Sequence, residues 1–253
     1  QMVVGMAEEK GYKARMDAVH ALGRQLSPDE VDALMEFLAE RRDNLSASQI
    51  NSVKNDVVEK LLRQETMPPD LGTRLAEMYL EKDRDPVWRD YCIQLVSLYY
   101  ERRWEPGSED DSEEREMIRN TLWHAVKADV DSGIAGTALL SLKRLAERYP
   151  EFGGAPLREV CIGVLSNPDS HPSAKTCALQ TASSLGDKRV LEAARRTAET
   201  ADIIPLRMAA IAALGRIGEL DDIELLENIS SGNAGRYTYN AAETAIWKIM
   251  SRE

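Results

Sequence analysis

Three histidines, His20, His124 and His171, are the first residues to ask about proton transfer or metal binding, and each stands alone. A helix face offers two ligands to one metal at spacings of three or four residues, and no second histidine sits at such a spacing. A helix-surface or capping position is expected for all three. The three cysteines fall on apolar stripes: Cys92 with Trp88, Leu95 and Tyr99, Cys161 with Leu157, Val160 and Val164, and Cys177 with Ala174, Ala178 and Ala182. Their odd number and wide spacing make neither a disulfide framework nor a zinc site, so buried free thiols are expected. Such thiols suit a reducing compartment, which favours the cytoplasm without excluding an exported protein.

Carboxylates are densest at Glu109, Asp110, Asp111, Glu113 and Glu114. Several oxygen ligands attract a hard cation, but these lack the alternating loop with a central glycine that orders a calcium site. A solvated loop leading into a capped helix is expected, since acids also suit a helix N-terminus. No Gly-x-Ser-x-Gly elbow, phosphate-binding glycine loop or zincin motif occurs. The chain therefore reads as a non-enzyme without a metal or cofactor.

One arrangement points to binding. Arg115, Arg119, Trp123 and Lys127 are spaced by four, which makes a single ridge beside the apolar stripe of Ile118 and Leu122. Trp and Arg are enriched at binding hot spots, and a basic ridge in an acidic protein suits a carboxylate-rich segment. In the alternative, Trp123 packs on a neighbouring element and the charges pair with Glu116 or the acidic loop. Arg195 and Arg196 extend the expected partner-binding surface.

The elements that must position these residues are helices. Ser27-Pro28-Asp29-Glu30 and Ser46 with Gln49 predict capping boxes, and Asp85-Pro86 predicts a cap followed by proline. Asp111 with Glu114 is the expected cap of the ridge helix. About six helical hairpins and a final helix are predicted, with first helices starting near 11, 47, 86, 133, 172, 205 and 236. Strong helix formers dominate the composition, and 43% hydrophobic with 30% charged residues is enough for a core. No linker marks a boundary, so one domain over 1–253 is expected, less regular over 1–130 and regular over 131–253.

Of the formal net charge of −11, residues 1–116 carry 26 acidic and 16 basic residues, and the remainder is close to neutral. That balance excludes a general nucleic-acid binder, which needs clustered cations for phosphates. A basic partner would be steered to the N-terminal half. No run reaches the ~18 apolar residues of a membrane span. The chain opens on Gln1 and so reads as a processed or trimmed product, from which the absence of a leader decides nothing.

The second half repeats itself. A shift of 32 positions carries Ala178 onto Ala210 and Ala242, Ala182 onto Leu214 and Ile246, Leu185 onto Ile217 and Ile249, and Gly186 onto Gly218. Fixed self-similarity of this length marks a stacked array. The run Leu206-Arg207, Ala209-Ala210-Ile211, Ala213-Leu214-Gly215, Ile217-Gly218, then Asp221-Asp222-Ile223 and Leu226 resembles the HEAT and HEAT-like (PBS lyase) repeats, most clearly over 172–249.

The resemblance implies an all-α fold: a right-handed α-α superhelix, a HEAT-like or armadillo-type solenoid whose second helices line a concave, partner-binding face. The Arg115–Lys127 ridge, on a second helix, would face that side. HEAT-like enzymes that hold iron use His-Glu dipeptides, and here Ala21, Ala125 and Pro172 follow the histidines. The expectation is a scaffold for a protein or peptide. Its alternative is a lyase-type subunit acting on a small molecule or protein-bound cofactor, and relatives that grip DNA are opposed by the charge. Trp247 on the last helix is expected to pack inward, and the outer face of Arg236, Asn240, Glu243 and Lys248 to end the array.

Overall fold

In the computed structural model, which describes residues 10–41, 44–231 and 235–252, the local signals act as the sequence predicts. Ser27 Oγ accepts the Glu30 N–H at 3.3 Å while the Glu30 carboxylate accepts the Ser27 N–H at 3.0 Å. Ser46 and Gln49 repeat the exchange at 3.4 and 3.2 Å. Asp85 Oδ1 accepts the Val87 and Trp88 N–H groups, both at 3.0 Å. Each device satisfies amide donors that a helix start leaves open. One cap lies a residue away from its expected place. Ser112, not Asp111, accepts the Arg115 N–H, at 3.4 Å, because Asp110 turns the chain there by accepting the Ser112 N–H at 2.9 Å.

The described residues form thirteen α-helices and no strand. They are α1 (Tyr12–His20), α2 (Pro28–Ala39), α3 (Ala47–Leu62), α4 (Leu71–Leu80), α5 (Pro86–Arg103), α6 (Glu113–Ala128) and α7 (Gly133–Ala146). Then follow α8 (Gly154–Ser166), α9 (Pro172–Ser184), α10 (Leu191–Thr200), α11 (Ile204–Ile217), α12 (Asp222–Ser231) and α13 (Gly235–Met250). Every expected first-helix start lies within one residue of an observed one. No helix among the described residues is long and apolar enough to cross a membrane.

The chain divides into two compact units, residues up to Thr121 and residues from Leu122. In the first, α3 packs on α1, α2 and α5, and α4 packs on α5. Its core includes Val53, Val57, Leu61, Leu75, Tyr79, Cys92, Val96 and Tyr99, all buried. In the second unit α7, α9, α11 and α13 pack each on the next, while α8 lies on α9, α10 on α11 and α12 on α13. Most of the repeated positions form the seam: Ala178, Ala182, Ala210, Leu214 and Ala242 are fully buried and Ile217 and Ile249 nearly so, while Leu185 and Ile246 are half-buried.

Small residues set how closely these helices approach. A side chain on Gly215 would begin 2.9 Å from Ala245 Cα, so α11 and α13 meet at backbone distance. The two repeat-related turn glycines do different work. Gly186 takes a φ of +68°, which favours glycine. Gly218 has φ −66°, and there a Cβ would stand 2.5 Å from the Leu214 carbonyl oxygen.

Trp247 does not pack inward: it is 67% exposed. The helix buries Ala242, Ala245 and Ile249 instead, and Trp247, Tyr239 and Met250 are left exposed with Asn240 and Glu243. The polar outer face is thus mixed with aromatic surface. The Arg236 side chain lies outside the described residues.

Candidate functional site

A groove of about 610 Å³ lies in the second unit between the C-terminal half of α6 and one face of α8. From α6 and the turn after it come Trp123, Val126, Lys127 and Val130, spaced as one helix face. From α8 and its end come Pro156, Glu159, Val160, Gly163, Val164 and Asn167, again one face. Its size falls within the range of ligand sites, and the lining is mostly apolar. The far end is pinned, since the His171 N–H donates to the Val130 carbonyl at 2.8 Å.

Only two of the ridge residues line this groove. Trp123 is half-buried and Lys127 exposed. Lys127 forms no ion pair with any described residue, whereas Glu159 on the opposite wall is held by Arg189 at 2.6 Å. Arg115 is buried at 7% exposure. Its Nε donates to the Tyr100 hydroxyl at 2.7 Å, and its Nη1 donates to the carbonyls of Ser108 and Asp110 at 2.8 and 2.6 Å. Arg119 is half-buried, and its Nε has no hydrogen-bond partner among the described residues.

Neither arginine of α10 lines the groove. Arg195 is spent on buried Asp222, donating from Nε at 2.6 Å and Nη2 at 3.2 Å. Arg196 is exposed beside it.

The acidic loop is built rather than merely solvated. Asp110 accepts from the Ser112 N–H and the Trp104 indole N–H, and these bonds hold its carboxyl below the usual range. Among the described residues no three His, Cys, Asp or Glu side chains converge as a metal site. His171 caps α9, its Nδ1 accepting the Ser173 N–H at 3.2 Å, and His20 pairs with Asp56 at 2.8 Å. The cysteines are free and buried as expected. Burial pushes the Cys161 thiol up to about 12 and raises Cys92 and Cys177 as well, so all three stay protonated at neutral pH.

The apolar spacing predicts an inward stripe of Leu157, Val160 and Val164 and gives Gly163 no role. Val160 instead lines the groove half-buried, and Gly163 leaves its wall bare. A glycine inside an amphipathic helix was the available signal, because it costs about 1 kcal/mol against alanine unless something requires it. Comparison with protein-family models and with curated proteins finds no match to this chain.

Proposed function

We propose that this chain is a non-enzymatic scaffold: a HEAT-like stack of helical pairs, armadillo-like in its winding, that presents the α6–α8 groove to a protein or peptide. The observation that carries this reading is the groove itself. It is apolar along both walls, offers a half-buried Trp at its edge, and leaves one cation, Lys127, without an ion-pair partner among the described residues. The 32-residue repeat supports the array, because the buried seam of α9, α11 and α13 falls on its positions. The protonated thiols weigh against nucleophilic cysteine chemistry. The negative charge of the chain weighs against a nucleic-acid partner.

The test is affinity capture from the native source with the wild-type chain and with Trp123→Ala. A half-buried Trp at a groove edge contributes to binding without holding up a core, so the variant should melt within about 1 kcal/mol of wild type. It should bind the captured partner at least about tenfold more weakly. A partner captured equally well by both chains would reject the groove as the binding site.

A further inference from the structure

We propose that the occupant of the α6–α8 groove is an amphipathic α-helix that lays apolar side chains over Gly163 and sets a carboxylate against Lys127. The proposal rests on the scaffold reading and adds the chemistry of the partner.

The walls decide between a helix and an extended segment. Both are α-helices whose backbone groups are already paired within their own turns. Of the polar side chains in the lining, Glu159 is taken by Arg189, and Asn167 Oδ1 accepts the Asp169 N–H at 3.0 Å. An extended segment would turn N–H and C=O groups toward an apolar trough with almost nothing to bond, at about 1–3 kcal/mol for each group left unpaired. A helix arrives with its backbone satisfied and needs only an apolar ridge to fill the trough. The α8 wall runs from Pro156 to Asn167, about 16 Å at 1.5 Å per residue, which is three turns of a helix.

Gly163 is the independent observation. It is exposed and helical, and a Cβ built on it meets nothing within 4 Å. No packing and no positive φ within this chain requires a glycine there. The missing side chain opens the floor of the groove between Val160 and Val164, which admits a bulky partner residue or a close helix crossing. Lys127 sets the charge. With Glu159 occupied, the rim cation without a partner selects an acidic residue beside the apolar anchors.

The probe is a displayed library of about 18-residue peptides, long enough to hold a helix, in two arms of equal composition. One arm has a helix-favouring frame with apolar residues varied at i, i+3, i+4 and i+7 and charges varied at the flanks. The other is locked extended by proline. Both are selected on the full chain and re-measured on Gly163→Leu and Lys127→Glu. Gly163→Leu should fold and melt no lower than wild type, because the site is open and leucine is the better helix former.

The expected binders come from the helical arm with an acidic flank. They weaken at least about tenfold on Gly163→Leu and about threefold to tenfold on Lys127→Glu. Binders drawn from the extended arm, or no helical binder that Gly163→Leu weakens, would overturn the helical occupant. If Trp123→Ala still releases the native partner in that event, the scaffold reading stands and only the helix is rejected.

Discussion

Gly215→Val should destabilise the second unit by about 3 kcal/mol, the upper end of what overpacking costs. A Cβ there begins 2.9 Å from Ala245 Cα and 3.0 Å from Ala245 Cβ, and a backbone atom cannot swing away. The helices α11 and α13 would have to separate, uncovering Ala242, Ala245 and Ile249. Denaturant unfolding of the variant reads this directly, with Gly163→Ala as the matched control. The control adds a methyl in open space and should gain about 0.5–1 kcal/mol. Adding a side chain should thus change sign between two glycines in helices of one unit. A Gly215→Val chain as stable as wild type would mean that α11 and α13 do not meet as described.

Arg115→Met should cost about 2–3 kcal/mol in the first unit and release the loop before α6. Methionine keeps the apolar stem but leaves the Tyr100 hydroxyl and the Ser108 and Asp110 carbonyls without the guanidinium that now joins them. The bonds tie α5 to the loop, so their loss should expose it to cutting by a glutamate-specific protease after Glu105 or Glu109. Binding at the α6–α8 groove should stay within about threefold of wild type, because rim and remote charges contribute little to affinity. A resistant loop with unchanged stability would show that Arg115 is not its anchor.

Arg115 shows where the sequence stopped informing. Spacing by four places it on a ridge with Trp123 and Lys127, and on the helix it does lie there. What spacing cannot tell is that residues 104–112 fold back over Tyr100 and claim the guanidinium. Arg195 is a similar case, since its partner Asp222 opens α12, with all of α11 between them in the chain. Local devices were legible because they close within four residues: Ser27 with Glu30, Ser46 with Gln49, and Asp85 with the amides after it.

The Ala and Leu seam positions were legible because repetition marks them. Trp247 was not. Its residue type suggests an interior, but the small residues Ala242 and Ala245 choose the buried face and leave the indole outside. Gly163 was visible yet easily passed over, because a glycine says that space is needed without saying for whom.

If a partner fills the trough between α6 and α8, Trp123 is a built-in reporter of it. Trp88 and Trp104 are buried at 2% and 4% exposure, so substituting the exposed Trp247 with phenylalanine leaves Trp123 as the indole open to change. Emission of that Trp247→Phe chain should shift to shorter wavelength when the captured partner saturates it, and in Gly163→Leu the same shift should need at least about tenfold more partner. Saturated binding with an unshifted spectrum would mean that the partner sits somewhere other than this trough.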